Sequence, residues 1–402
     1  MKTYRLGVIG LGQRIAHVLK AMKEVGWQFD LAGYADPAPV GVPILEESGI
    51  KPGHFHEDVK GLLRDGPFDL VFIGSPNHLH FEHLLATFEA GFPIFVEKPI
   101  VRTVEETLAL AGRIRTAPTP PLYVGLVMRS MPIVRETIAR VDRGDLGDIV
   151  SIDATEHLPP EHGAYLARNW RRRTEWTGSF LLDKVCHDFD IFARITHSRP
   201  AHIASFGGRR IFHDGRIDPA MRYSDGTPAY ALHEGGWSSA NDAFHSDMDV
   251  TDHQTALIEY ANGVQLSFHS NSHVSLQERR WYVAGTDGTL IADLVRNRLL
   301  FRRALDRGKP ERLDWSNRAA DSHNGADQAM AADLLAAFEN RAPFPVTAGD
   351  AMEAGLTVMA IDKAMKTKTM IACAPLWTAY DGARAGLNAD PGAIFGNGND
   401  LK

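Results

Sequence analysis

The N-terminal stretch GVIGLGQRIAHVLKA, residues 7–21, constrains the fold of this chain more than any other segment. A run of strand-forming residues leads into Gly10 and Gly12, and a helical pattern follows at once. Gly10 allows a sharp turn, and Gly12 allows the backbone to approach a pyrophosphate at the helix N-terminus. This order of strand, glycine turn and helix predicts the first unit of a dinucleotide-binding domain.

The rest of this fingerprint is mixed. Ile15 stands where Gly or Ala usually lies close to the sheet, which weakens the motif and leaves a plain turn as the alternative. Asp36 ends the next predicted strand, where a carboxylate can bind the adenosine ribose diol. No arginine follows it, and a carboxylate would repel a 2′-phosphate, so we predict NAD rather than NADP. The residues predicted to contact NAD in this unit are Gly10, Gly12, Gln13, Arg14, Ile15 and Asp36.

Strand-like and helix-like segments alternate over the first 122 residues. Such alternation predicts an α/β Rossmann domain with a doubly wound parallel sheet, placed at 1–122. The strands are expected at about 4–10, 29–36, 68–75 and 93–98.

After about residue 122 the predicted elements are mainly strands, joined by hairpin turns such as Asn262-Gly263 and Asp287-Gly288. We therefore predict an α+β domain at 123–402 with a large open, mostly antiparallel sheet, for substrate binding and oligomerisation. Helices are expected at about 178–196, 327–341 and 348–368. The polar segment 209–250 is too long for an ordinary connection, which predicts an excursion over a surface.

Bulk properties exclude several kinds of partner. The net charge is −7 without a basic block, so we expect no nucleic acid partner. The sequence has no apolar run of 18 residues, so we expect no membrane span. Two cysteines suggest a reducing compartment, so the expected location is cytoplasmic. The 18 histidines lack the partners of a recognisable zinc site, so we expect no metal.

The stretch PIFVEKPI, residues 93–100, ends a buried strand in two opposite charges. Ligands of a doubly wound sheet bind at the carboxyl ends of its strands. Alternation directs Glu97 and Lys98 to opposite sides, so Lys98 can enter a cleft while neighbours hold Glu97. The end of the preceding strand carries further predicted cofactor contacts, namely Ser75, Pro76 and Asn77.

These motifs together resemble the Gfo/Idh/MocA family of glucose–fructose oxidoreductase and inositol dehydrogenase. The resemblance rests on the glycine turn, on SPNHLH at 75–80 and on EKP at 97–99. Residues 123–149, 177–190 and 323–338 resemble further family segments. The resemblance implies an NAD-dependent oxidoreductase acting on CH–OH groups, with His80, Glu97 and Lys98 near the cofactor.

TGSFLLDKVCHDFD, residues 177–190, carries the acid–base groups. Asp183, His187 and Asp190 recur at the spacing of one helix face, although a solvated amphipathic face would show the same spacing. The resemblance implies that Asp183 and His187 lie beside nicotinamide and substrate, opposite Lys98. We assign His187 as base, Lys98 as electrophilic partner and Asp183 as orienting group. The predicted substrate contacts are Lys98, Arg129, Trp170, Asp183, Lys184 and His187.

The segment departs from the family pattern. Between Asp183 and His187 the family commonly has a glycine, and this chain has Val185 at that position, preceded by Lys184. Arg171, Arg172 and Arg173 add nearby cations. An anionic sugar would explain them, and so would a loop held by surface salt bridges. We expect that at most Lys184 reaches the substrate and that the substrate is neutral.

Three functions remain open. The first is an NAD-dependent dehydrogenase or reductase of a sugar, cyclitol or sugar derivative. The second is an enzyme that cleaves glycosides by transient oxidation and elimination, and the third is a nucleotide-sensing regulator. An open sheet with one uncovered face also predicts a homo-oligomer, a dimer or tetramer.

Overall fold

A computed structural model describes residues 2–214, 217–218, 220–230, 236–240, 242–318, 324–387 and 394 of the 402-residue chain. The described part contains fifteen β-strands arranged in two sheets, one of six strands and one of nine. Helices flank both sheets.

The first sheet is wholly parallel, in the order β3-β2-β1-β4-β5-β6. Its strands are β1 (Tyr4–Ile9), β2 (Phe29–Ala35), β3 (His54–His56), β4 (Leu70–Ile73), β5 (Ile94–Val96) and β6 (Leu122–Val124). Its helices are α1 (Gln13–Glu24), α2 (Val42–Glu47), α3 (Val59–Arg64), α4 (His80–Ala90) and α5 (Val104–Thr116). The predicted doubly wound Rossmann sheet is confirmed.

Local sequence explains these elements. All residues of β4 and β5 are buried, as expected for central strands covered by helices on both faces. Helix α5 begins with the capping box that its sequence predicts, because Thr103 Oγ1 accepts from the backbone N–H of Glu106 at 3.1 Å.

The second sheet has the order β14-β13-β12-β11-β7-β10-β9-β8-β15 and is antiparallel except between β7 and β10. Its strands are β7 (Ile149–His157), β8 (Pro200–Gly208), β9 (His253–Tyr260), β10 (Gln265–Asn271), β11 (Glu278–Gly285), β12 (Gly288–Asp293), β13 (Arg298–Arg303), β14 (Glu311–Asp314) and β15 (Ile371–Ala372). The helices of this part are α6 (Pro132–Asp142), α7 (Pro160–Arg168), α8 (Thr174–Thr177), α9 (Phe180–Thr196), α10 (Ala326–Phe338), α11 (Ala348–Thr367) and α12 (Ala374–Arg384). The predicted mostly antiparallel sheet is confirmed, and so are helices α9, α10 and α11.

Helices α9 and α11 cover one face of this sheet. Phe189 and Phe192 of α9 pack on Phe268 of β10 and Trp281 of β11, with ring centroids 5.2 to 6.4 Å apart. On the strands, exposed apolar side chains include Val150, Phe206 and Leu257. The homo-oligomer remains a prediction that these exposed side chains motivate.

The two parts of the chain are joined closely. Strand β6 completes the first sheet at Val124, two residues beyond the predicted domain boundary, which stays a prediction. Helix α10 packs against α1, and the indole of Trp27 donates to the carbonyl of Ala331 at 3.0 Å. The predicted excursion 209–250 lies partly outside the described residues.

Candidate functional site

The turn between β1 and α1 leaves room for a phosphate group. Gly10 has a φ of +82°, and an added Cβ would lie 2.3 Å from the backbone nitrogen of Ser75. Gly12 caps α1, and no atom would lie within 4 Å of a Cβ added to it. The first turn of α1 carries no acidic side chain. An open helix N-terminus of this kind fits the pyrophosphate of a dinucleotide.

The structure explains the irregular third position of the fingerprint. The Ile15 side chain is fully buried, and a Cβ added to Gly74 would lie 2.1 Å from its Cγ1 atom. The glycine that lets α1 approach the sheet is therefore at the end of β4, not on the helix. The Ile15 side chain lies in the core and does not line the cavity described below, so a contact of Ile15 with NAD would be made by its backbone and stays a prediction.

Asp36 lies at the carboxyl end of β2, as predicted. Its Oδ1 atom accepts from the backbone N–H of Ala38 at 2.7 Å. Burial raises its pKa, against the opposing effect of the Ala38 and Leu11 N–H groups.

A single cavity of about 790 Å³ connects this end of the sheet to the predicted acid–base groups. It passes the end of β4 and reaches helix α9. Most predicted site residues line it, namely Gly10, Gly12, Gln13, Arg14, Asp36, Ser75, Pro76, Asn77, His80, Glu97, Lys98, Trp170, Asp183, Lys184 and His187.

The two charges that end β5 point to different partners. Glu97 is buried and accepts from Arg14 Nε at 2.9 Å, and Arg14 Nη1 donates to Asp327 of α10 at 2.6 Å. Lys98 Nζ donates to the backbone oxygen of Asp183 and lies 3.8 Å from its Oδ1. The pair therefore couples the end of β5 to α1 and α10 on one side and to α9 on the other.

Asp183 contacts three polar side chains of the site, those of Asn77, Lys98 and Arg171. Its carboxylate accepts from Asn77 Nδ2 at 3.2 Å and from Arg171 Nε at 3.0 Å. Burial alone would raise its pKa, but Arg171 and Lys98 hold the pKa at about 2. Asp183 is therefore an ionised acceptor at any physiological pH.

Helix α9 places His187 one turn beyond Asp183. The helix begins where Ser179 Oγ accepts from the N–H of Leu182 at 3.0 Å. Asp183 and His187 both line the cavity, as Lys98 does, and Asp183 contacts Lys98. An anionic acceptor, an imidazole and an ammonium group thus converge at one end of the cavity.

Arg171 was missed as a site residue. Beyond its contact with Asp183, its Nη1 atom donates to Tyr165 Oη at 2.8 Å, and its guanidinium lies over the Trp170 ring at 4.2 Å. By contrast, Arg172 and Arg173 pair with Asp247 of the 209–250 segment. The salt-bridged loop therefore accounts for two of the three arginines, whereas Arg171 belongs to the site.

Lys184 follows Asp183 on α9 and lines the same cavity. Its Nζ atom is 3.0 Å from Nε2 of His162 and 3.9 Å from Oε1 of Glu156. Burial lowers the pKa of Lys184 to about 8. The nearby Lys184 cation, together with burial, lowers the pKa of His162 well below its usual value, so His162 is neutral.

A buried cluster lies behind Lys184. Arg279 of β11 pairs with Glu156 at 3.1 Å and also contacts Asp188 of α9. The indole of Trp281 donates to Asp188 at 3.1 Å. The sequence did not predict this cluster, because its members lie on three segments that are far apart in the chain.

Arg129 is a correction to the predicted substrate contacts. It is buried and does not line the cavity. Its Nε and Nη2 atoms donate to the two carboxylate oxygens of Asp190 at 2.5 and 2.7 Å. This two-point ion pair holds the segment after β6 against α9. The Arg129 guanidinium and the Asp190 carboxylate are therefore engaged with each other.

His80 lines the cavity where two loops meet. Its Nδ1 atom is 2.8 Å from the carbonyl oxygen of Pro99, and its Nε2 atom is 2.8 Å from that of Ser75. It therefore connects the loops that follow β4 and β5, and its contacts in this structure are to backbone.

The described residues contain neither a group of metal ligands nor a helix able to span a membrane. No three His, Cys, Asp or Glu side chains are grouped so that they could hold a metal ion within that part of the chain. No helix in the same residues is both long and apolar enough to pass through a bilayer.

Several known proteins are similar to this chain in sequence or in fold. Levoglucosan dehydrogenase of Pseudarthrobacter phenanthrenivorans is 25% identical over 241 residues, which cover 60% of this chain and 59% of that protein. The scyllo-inositol 2-dehydrogenase (NAD(+)) of Bacillus subtilis is 25% identical over 186 residues, 45% of this chain and 51% of that protein. A solved levoglucosan dehydrogenase complex with NADH and levoglucosan superposes with a TM-score of 0.72 at 20% identity, over 92% of this chain and 99% of that one.

Two family models match the two parts of the chain. The model described as an oxidoreductase family with an NAD-binding Rossmann fold matches residues 4–121. The model of the GFO/IDH/MocA C-terminal domain matches residues 134–291. The chain therefore belongs to the Gfo/Idh/MocA family of oxidoreductases, and its first domain is an NAD-binding Rossmann domain.

Proposed function

We propose that this protein is an NAD-dependent dehydrogenase or reductase that acts on a secondary alcohol of a neutral sugar, cyclitol or sugar derivative. The observation that carries the proposal is the convergence of Lys98, Asp183 and His187 in the cavity that begins at the glycine turn. The named relatives include dehydrogenases of levoglucosan and inositol, which supports a carbohydrate-like substrate.

The side chains have distinct roles in this reaction. NAD, when bound, supplies the acceptor for a hydride that leaves the alcohol carbon. His187 removes the hydroxyl proton as the C–H bond breaks and the carbonyl forms. Lys98 Nζ donates to the reacting oxygen and stabilises its developing negative charge. Asp183 accepts from a substrate hydroxyl, and Asn77 and Arg171 hold its carboxylate in place.

The ion pairs around the cavity are compatible with a neutral substrate. Each of five cations lies at most 3.9 Å from a carboxylate of the protein, namely Arg14, Lys98, Arg171, Lys184 and Arg279. These cations therefore do not need a substrate carboxylate as a partner.

A panel of polyols, aldoses, uronates and glycosides tests the proposal. We expect net formation of NADH with at least one neutral polyol or sugar. Glycoside cleavage without net NADH would instead establish the transient-oxidation reaction. Binding of NAD with neither reaction, over the whole panel, would favour the regulator.

Asp36 gives a prediction on cofactor choice. We expect a higher kcat/KM with NAD than with NADP, because the carboxylate repels a 2′-phosphate. Asp36→Ala should raise the KM for NAD by about 10- to 150-fold, the loss of a hydrogen bond to a charged group, with less effect on kcat. The control is Asp30→Ala, which removes an exposed carboxylate at the other end of β2. A preference for NADP in the wild type would contradict the assignment.

Lys184 gives a prediction on substrate charge. For a neutral substrate, Lys184→Met should change kcat/KM by less than about 10-fold, because a contact to a neutral hydroxyl is worth little net free energy. The measurement is the ratio of kcat/KM for a uronate and its parent sugar, in wild type and variant, with the exposed Lys20→Met as control. A strong wild-type preference for the uronate that collapses by about 10- to 150-fold in Lys184→Met would show a substrate carboxylate at this lysine.

A further inference from the structure

Part of the 209–250 excursion crosses the cleft of the NAD-binding domain. We call residues 236–240 and 242–249 the strap. A Cβ added to Gly236 would lie 3.9 Å from Cγ1 of Val40, in the loop after β2. The next residue, Trp237, stacks on His78 in the loop after β4, with ring centroids 5.6 Å apart and an interplanar angle of 28°.

The strand order shows what lies beneath these two contacts. Strand β1 is between β2 and β4 in the sheet, so a segment that joins the loops after β2 and β4 passes over the carboxyl end of β1. That end carries the glycine turn. Gly236 and Trp237 also line the cavity that begins there. The strap therefore lies across the predicted position of the dinucleotide.

The strap is fixed to its own domain by polar contacts. Arg172 and Arg173 donate to strap carbonyl groups and pair with Asp247, and Asp249 accepts from the backbone N–H of Thr174 at 2.6 Å. The N–H of Ala240 donates to the Arg168 carbonyl at 2.7 Å. These bonds hold the strap in register beside residues 168–174.

Among the described residues, the contacts of the strap with the NAD-binding domain include the stacking of Trp237 on His78 and the approach of Gly236 to Val40. Trp176 of α8 supports the indole from the side, with ring centroids 4.9 Å apart. These contacts are aromatic and apolar, so they can break while the polar anchors of the strap to its own domain stay intact.

We propose that the strap retains NAD in the cleft and that the stack of Trp237 on His78 is its latch. The dinucleotide leaves only after the two rings separate. The inference rests on NAD binding by the Rossmann domain and not on the identity of the substrate. It assigns a role in cofactor retention to Trp237, a residue outside the predicted site.

The test is the rate of NADH release from the purified protein, followed by stopped-flow fluorescence after mixing with excess NAD. Trp237→Ala should accelerate release by about 2- to 10-fold, the worth of one aromatic pair. Trp237→Phe, which keeps a ring, should release NADH within about 2-fold of wild type. The exposed Met370→Ala, in the turn before β15, should leave the rate unchanged.

A variant of His78, the other ring of the stack, makes the test specific. His78→Ala should accelerate release as Trp237→Ala does, and the double variant should be no faster than either single variant, because each change removes the same stack. Equal release rates in wild type and Trp237→Ala would overturn the proposal. The proposal would also be overturned if the fold-increase in release rate of the double variant equalled the product of the two single increases. Neither result depends on finding a substrate, so the proposed function can fail separately.

Discussion

Replacement of His187 by alanine is expected to lower kcat by about 10²- to 10⁴-fold, the usual worth of a positioned acid–base group. The imidazole lines the cavity one helical turn from Asp183. Asp183 cannot take over this role, because a carboxylate with a pKa of about 2 is too weak a base for the hydroxyl proton. The measurement is steady-state kcat with the best substrate of the panel.

Lys98→Ala should lower kcat over the same range of about 10²- to 10⁴-fold, for a different reason. Its ammonium group stabilises negative charge on the reacting oxygen, and its bond to the Asp183 carbonyl fixes its position. The loss should be in kcat more than in KM, because this interaction strengthens as charge develops.

Both variants should still bind NADH, as measured by its fluorescence, because the glycine turn and Asp36 are unchanged. The control is His202→Ala, which removes a surface histidine that pairs with Glu259 on the outer face of the second sheet. Near-normal turnover by either His187→Ala or Lys98→Ala would remove that residue from the mechanism. Loss of NADH binding would instead place the residue in the cofactor site.

Much of this site could be predicted because it depends on local rules. The carboxyl ends of parallel strands meet at one edge, so Gly10, Asp36 and Lys98 had to lie near one another. A separation of four residues on a helix brings Asp183 and His187 to one face. Both arguments need only the secondary structure, which strong sequence patterns indicate.

The remaining contacts depend on the packing of distant segments. Arg171 and Arg172 are neighbours with similar sequence surroundings, yet one binds Asp183 and the other binds Asp247 of the strap. Nothing in the sequence separates them, because the choice follows from the path of the chain around residues 169–173. Likewise, Ile15 departs from the glycine motif, and the sequence does not show that Gly74, directly after β4, gives its side chain space.

Arg129 shows the same limit and gives the last prediction. The family resemblance suggested a substrate contact, but its guanidinium forms a buried two-point pair with Asp190. Arg129→Met leaves the Asp190 carboxylate buried without its partner, which should lower the free energy of unfolding by about 3–5 kcal/mol. The KM of the folded fraction should not change. Urea unfolding followed by tryptophan fluorescence measures the first quantity, and steady-state kinetics the second.

The double variant Arg129→Met/Asp190→Leu separates a structural pair from a binding residue. Replacing both charges by apolar side chains removes the uncompensated carboxylate, so most of the lost stability should return. The control is Arg296→Met, which breaks an exposed pair with Asp293 and should cost about 1 kcal/mol or less. If Arg129 were a substrate contact, both the single and the double variant would keep a raised KM whatever their stability. Recovery of stability with an unchanged KM therefore assigns Arg129 to a structural ion pair that holds the segment after β6 against α9.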